Sequence, residues 1–384
     1  MNQIQKVVLM ANNIGGLGGV STFVRTMARE FTRRGYEVML LGFDKVDAEV
    51  DLSEFTRFTA FDSPTPVTVN PRTRVLGKAD PAVIVSRRRL DKLRERGRAR
   101  LQTVLPHFDS RTAIICTQVF GMEQLLKAGF DPSDRSGPLT FGQHHSSFQA
   151  ARSGGYVRRM LDAYTDIDRF VALTEPDARD FQLAGIPSVS AIPNPLDMPE
   201  VSADPASRTV ATVARLHEVK RLDRLLFAWA QICRSFPDWK LEIWGSGPDE
   251  EPLVRLIDEL DLTASAYLKG PTSNVSGVLA NSAITVLSSD EEGLPLSIVE
   301  AARARLPTVS VDCAPGIREL IDDGITGIVT PPRSVEGLAA GLRALMGDDN
   351  ARRTMGAAAQ QKARQWSPAA IGDRWEEEFE RALR

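Results

Sequence analysis

Residues 6–21 read KVVLMANNIGGLGGVS. The apolar run over residues 6–11 fits a buried strand, and the glycine-rich loop leads into a helix expected from about Ser21 to Arg34, ending before Gly35. VMLLGF at 38–43 follows as the next strand. Strand, glycine loop, helix and strand in that order open a doubly wound α/β sheet. The loop does not spell the spaced G-x-G-x-x-G dinucleotide fingerprint, because Ser21 stands where its third glycine belongs. That weighs against an NAD(P)-linked oxidoreductase, one competing reading of a doubly wound domain.

Working outward, the alternation continues. Strands are expected at 112–118, at 138–148 (ending in a polar loop) and at 169–173, with helices at 121–128 and within 156–185. Residues 44–85 hold one or two strands among loops. AIPNPLDMPE at 191–200 has linker composition, which places a domain boundary near Pro199 and a hinge near Pro195–Pro199. The pattern then restarts: strands at 208–216, 241–245, 266–271, 283–289, 307–313 and 327–332, and one long helix over 218–236. The expected architecture is therefore two doubly wound, Rossmann-like domains, 1–198 and 199–366, with a closing helix at about 367–384.

The 384 residues suit two domains, and 25% charged with 42% hydrophobic is ordinary for a globular chain. A net charge of −3 does not mark a nucleic-acid binder. Cys116, Cys233 and Cys313 are widely spaced and form neither a disulfide framework nor a zinc pattern, which suits a reducing cytoplasm. MNQIQKVVLMANN reads as a first strand rather than a signal segment, and no apolar run is long enough to span a membrane.

The chemistry gathers at SSDEEGLPLSIVEAARAR, residues 288–305. A loop carrying Glu292 runs through Gly293 and Leu294 to Pro295, expected at the first helical position. The amides of Leu296 and Ser297 would lie at a helix N-terminus, which favours phosphate. Glu300 follows one turn later. Two carboxylates flanking a phosphate-binding helix end suit a sugar nucleotide; ordinary surface glutamates on an amphipathic helix are the alternative. Arg215 and Lys220, five apart where a strand gives way to a helix, can both project into a cleft and offer a planar fork and a point charge to a diphosphate. Gly245 and Gly247 make a tight turn or admit a nucleotide to the backbone. His144 and His145 end a strand, so only one of them should face a ligand. Asp166 and Asp168 precede a strand and read as structural.

Gly18-Gly19, His145, IPNPLD at 192–197, Arg215 with Lys220, EEGLPLSIVEA at 291–301 and CAPGIRELIDDGITGIV at 313–329 occur in one order along the chain. In them the chain resembles the retaining glycosyltransferases of family 4, which have the GT-B fold, nearest the branch acting on cell-surface polymers. The resemblance implies two domains facing across a cleft, with the final helix crossing back to the first. It implies that Arg215 and Lys220 neutralise the donor diphosphate without a metal or other cofactor. Glu292 then lies at the donor sugar and Glu300 holds the ribose. The amides of Gly293, Leu294 and Leu296, with Ser297, contact sugar or phosphate. Gly18 and Gly19 let amides approach the diphosphate or acceptor, and His145, ahead of Ser146, bonds the sugar near the reacting centre. Where many members have Gly-Phe-Gly, this chain has Gly293-Leu294-Pro295.

The expected activity is transfer of a hexosyl unit, from a UDP-sugar by family frequency, to a glycan, lipid-linked or anionic polymer hydroxyl. Residues 86–100 carry eight Lys/Arg against two Asp/Glu. This basic helix is a solvated face, or a patch for an anionic acceptor or for the inner face of an anionic membrane. A non-catalytic binding protein of the same fold is the remaining alternative.

Overall fold

Val7–Ala11 are all buried, as a central strand of a two-faced parallel sheet requires. The computed structural model describes residues 4–16, 18–44, 51–63, 65, 81–204 and 206–383. It divides into two units, Met1–Ile192 with Gly372–Arg384, and Pro193–Ile371.

In the first unit the strands are β1 (Lys6–Ala11), β2 (Glu37–Gly42), β3 (Thr56–Thr59), β4 (Thr112–Cys116), β5 (Leu139–Gln143), β6 (Arg169–Ala172) and β7 (Val189–Ala191). They pair in parallel in the order β3-β2-β1-β4-β5-β6-β7. Helices α1 (Gly19–Arg33), α2 (Pro81–Val104), α3 (Val119–Lys127), α4 (Phe148–Ser153), α5 (Tyr156–Ala163) and α6 (Glu175–Leu183) connect them. Of the segment hardest to read from sequence, β3 is described; residues 45–50, 64 and 66–80 lie outside the described residues. Helix α2 is longer than its basic core because Pro81 can open a helix. Asp168 accepts the Thr140 amide at 2.8 Å, a structural role.

In the second unit β8 (Thr209–Val213), β9 (Lys240–Trp244), β10 (Ala266–Gly270), β11 (Ile284–Leu287), β12 (Thr308–Val311) and β13 (Gly327–Thr330) run parallel as β10-β9-β8-β11-β12-β13. That is the 3-2-1-4-5-6 order of a doubly wound fold, and its switch point lies between β8 and β11. The helices are α7 (Leu222–Ala230), α8 (Glu250–Glu259), α9 (Val275–Ala280), α10 (Leu296–Arg303), α11 (Pro315–Leu320), α12 (Val335–Gly347) and α13 (Asp349–Ala363).

The structure differs from the expectations in three places. The long helix over 218–236 is instead a 3-10 turn Glu218–Lys220, helix α7 and a 3-10 turn Cys233–Ser235; Arg221 interrupts it with φ +48°, a left-handed conformation. The division between units falls after Ile192, not near Pro199, because the proline-rich segment is tied into the second unit: Leu196 donates to Trp366 O, and Met198 O accepts from Arg303. Pro295 caps α10 rather than opening it.

The last helix, α14 (Pro368–Ala382), joins the first unit from Gly372 on. Trp375 and Phe379 are buried there against Phe141, with ring centroids 5.8 and 5.4 Å away. Arg34 Nη1 and the Tyr36 hydroxyl both donate to the Glu376 carboxylate, and Arg34 Nη2 donates to Asp373.

Candidate active site

At the carboxyl end of β8 the chain passes through Ala214, Arg215 and Leu216. Ala214 N donates to Trp244 O, Leu216 N to Ser246 O, and Asp249 N to Leu216 O. Gly245 and Gly247 make this close approach possible. A Cβ at Gly245 would stand 1.8 Å from Ala214 O, and one at Gly247 2.2 Å from Leu216 O. Both glycines have positive φ, +143° and +159°. The space a side chain would take at either position is thus filled by the chain's own backbone, and the glycines fix the loop that presents Arg215 while their own backbone stays partly exposed. The Arg215 side chain is exposed, and no carboxylate pairs with it among the described residues.

Lys220 lies in the next turn. Its Nζ donates to Glu292 Oε1 at 2.7 Å, and Ser289 Oγ donates to the same oxygen at 2.6 Å. Ser288 Oγ in turn holds Lys220 O at 2.9 Å. The loops after β8 and β11 are therefore joined across the switch point, where ligands of open α/β sheets bind. Two small cavities open there. One is lined by Lys220, Ser288, Ser289, Glu292 and Ser297; the other, by Ser297 and Glu300, shares Thr212, Val213 and Leu287 with it. A larger cavity of about 160 Å³, beside Arg305 and Arg352, lies at the opposite strand ends from this chemistry.

Helix α10 has no side-chain cap, so the amides of Leu296 and Ser297 at its start lack intrahelical acceptors. Leu294 buries its side chain, while Gly293 O is approached by Gly316 of α11, where a Cβ would come within 2.3 Å. Burial pushes the Glu300 carboxyl above the usual carboxylate range. Burial, then the Glu292 charge, pushes the nearby Cys313 thiol up to about 12.

In the first unit, Gly18 (φ +119°) precedes α1 without a side-chain cap, and among the described residues no atom lies within 4 Å of where a Cβ would stand at Gly18 or Gly19. The loop before them is tied down by Ser21 Oγ donating to Asn13 O and Arg25 Nη1 to Gly16 O. The two histidines after β5 do diverge. His144 contacts Ser146 and packs near Phe181 and Tyr156; burial lowers its pKa to about 4, so it is neutral at physiological pH. His145 packs edge-on against Phe23 at 5.0 Å, on the α1 side.

The structure thus brings Arg215, Lys220, Glu292, Gly293, Leu296, Ser297 and Glu300 to one sheet edge of the second unit. It places Gly18, Gly19 and His145 in the first. Sequence reasoning missed Ser288, Ser289 and Asp290, which hold the Lys220 and Glu292 loops. The quoted SSDEE run contains them, but nothing in their spacing names their partners.

Comparison with known proteins agrees with this arrangement. The Glycosyltransferase Family 4 model matches residues 17–199, and the model for glycosyl transferases group 1 matches residues 195–362. An exopolysaccharide phosphotransferase of Streptomyces coelicolor is 33% identical over 248 residues, 63% of this chain and 26% of its own length. A poly(glycerol-phosphate) alpha-glucosyltransferase of Bacillus subtilis is 26% identical over 259 residues, 66% of this chain and 38% of its own length. The chain therefore spans well under half the length of these two relatives. A structure of an S. aureus TarM mutant with fondaparinux, alpha-GlcNAc-glycerol and UDP superposes with TM-score 0.77 at 14% identity, covering 98% of this chain and 100% of that one. That likeness establishes the GT-B fold. With two family models spanning residues 17–362 between them, the chain belongs to the family-4 type of GT-B glycosyltransferases.

Proposed function

We propose that this chain transfers a hexosyl unit from a UDP-sugar, with retention and without a metal, to a hydroxyl of an anionic or lipid-linked cell-surface polymer. The observation that carries the reading is the juxtaposition of Arg215, the Lys220–Glu292 pair and the uncapped start of α10 at the switch point of the second unit. As the bond from the sugar's anomeric carbon to the diphosphate breaks, negative charge grows on the leaving group. Arg215 and Lys220 stabilise it, aided by the Leu296 and Ser297 amides. Glu292 accepts hydrogen bonds from the donor sugar and Glu300 from the ribose. The acceptor oxygen bonds to the anomeric carbon on the face the diphosphate leaves, and its proton passes to the departing phosphate. His145 and the Gly18 and Gly19 amides are assigned to the donor sugar and to phosphate or acceptor, as the family resemblance implies.

The polymer acceptor is supported by the name of the Bacillus subtilis relative and by α2, where Arg87, Arg88, Arg89 and Lys92 are exposed. Among the described residues no helix is long and apolar enough to cross a membrane. The expected contact with an anionic membrane rests on the same charges, and sedimentation with anionic vesicles separates it from polymer binding.

Release of nucleoside diphosphate from UDP-, GDP-, ADP- and TDP-sugars, with and without EDTA, tests the reading. One donor should release diphosphate insensitively to EDTA. Arg215→Ala should slow it by roughly 10- to 100-fold, the equivalent of a charged hydrogen bond of about 1.5–3 kcal/mol. Neither release nor binding with any donor would sink the proposal.

A further inference from the structure

The loop carrying Glu292 and the turn carrying Lys220 are irregular, and Asp290 joins them. Its amide donates to Val219 O at 2.8 Å. Its Oδ1 accepts from Arg224 Nη2 at 2.6 Å and its Oδ2 from Arg221 Nη1 at 3.0 Å. Arg224, only 4% exposed, also donates to Ser288 O at 2.6 Å, and Arg221 grips Asp223 through Nε and Nη2. Arg333 Nε stands 3.7 Å from Asp290. Asp290, Arg221 and Arg224 do not line the two cavities beside Glu292 and Glu300. They adjoin, in sequence and by hydrogen bonds, residues that do.

We infer that Asp290, clasped by Arg224 and Arg221, is a positioning residue that sets Lys220 and Glu292 at their working separation. The inference rests on the donor-site reading above. Asp290 is two residues from Glu292, and Arg221 adjoins Lys220, so a shift of the clasp moves both functional groups. Charge-assisted bonds of this length are strong and directional. A guanidinium as buried as that of Arg224 must be paired, which makes the clasp a fixed part of the fold rather than a surface contact. Burial alone would raise the Asp290 carboxyl, yet hydrogen bonds from Arg224 and Arg221 hold it below the usual range, so the clasp stays ionised at neutral pH. Arg221 keeps its left-handed backbone, rare for a residue with a side chain, where its guanidinium bridges Asp223 and Asp290.

Asp290→Asn preserves shape and removes the charge; Arg221→Ala removes one arm at a half-exposed site. Two readouts are needed: amide exchange of residues 288–294, and steady-state donor turnover. A positioning role predicts faster exchange in that segment, kcat reduced about 10- to 100-fold with a smaller change in KM, and partial recovery in Asp290→Glu. Unchanged exchange, or wild-type turnover with faster exchange, overturns the inference. Loss of kcat together with a collapsed melting transition in both variants also overturns it, since that is a purely structural role. If the wild-type chain neither binds nor turns over any nucleotide sugar, the functional reading fails, and the positioning inference for transfer falls with it; the exchange result still reports separately whether Asp290 orders the loop.

Discussion

Two strand-to-helix glycine turns, one in each unit, look alike in sequence and are packed differently. At Gly18-Gly19 the space a Cβ would take is empty among the described residues. At Gly245 and Gly247 it is filled by the carbonyls of Ala214 and Leu216. The first turn leaves amides accessible; the second uses glycine to press two backbone segments together and so hold the Arg215 loop. A glycine-rich loop is thus no evidence by itself that a ligand approaches it.

The comparison can be broken most decisively at Gly245. Gly245→Ala forces a Cβ into Ala214 O and a positive φ on alanine, so a loss of about 3 kcal/mol or more is expected in denaturant unfolding. A wild-type midpoint would show that the two turns are not different after all. Gly18→Ala meets no atom of the described residues and suffers only its φ of +119°, so its cost should be about 2 kcal/mol.

Glu300 sharpens the contrast from within the packed edge, as a carboxyl raised by burial. The folded chain holds its proton more tightly than the unfolded chain does. Stability from this group is therefore full below the ordinary carboxylate range and falls as pH rises through the raised value. Glu300→Gln should match wild type near pH 4 and be more stable than wild type at pH 8 while binding donor less well, as melting and binding curves would show. The smallest stability effect belongs to Gly19→Ala, within about 0.5 kcal/mol of zero. Its methyl group should nonetheless occupy the open space and slow turnover about tenfold. Unaltered turnover would remove Gly19 from the site.

Much of this was legible because it depends on local pattern. Parallel strands buried on both faces are written as apolar runs, so most of the thirteen among the described residues were readable, while the short helices α4, α9 and α11 were not, having too few residues to show a period. The carboxylate pair Glu292 and Glu300 was visible from its spacing around a helix preceded by a proline. Arg221 was not visible as a helix breaker, since arginine ordinarily favours helix and only the ion pairs with Asp223 and Asp290 accompany its unusual φ.

The sequence by itself determined two doubly wound domains and the residue types a sugar diphosphate requires, because strand and helix periodicity and charge are properties of neighbouring positions. Only the tertiary structure decided that Lys220 is already paired with Glu292, that Gly245 and Gly247 pack against the carbonyls of Ala214 and Leu216, and that Asp290 joins two loops nearly seventy residues apart. Those facts depend on which segments meet at the β8–β11 switch point, and contacts between distant segments follow from packing rather than from any local pattern.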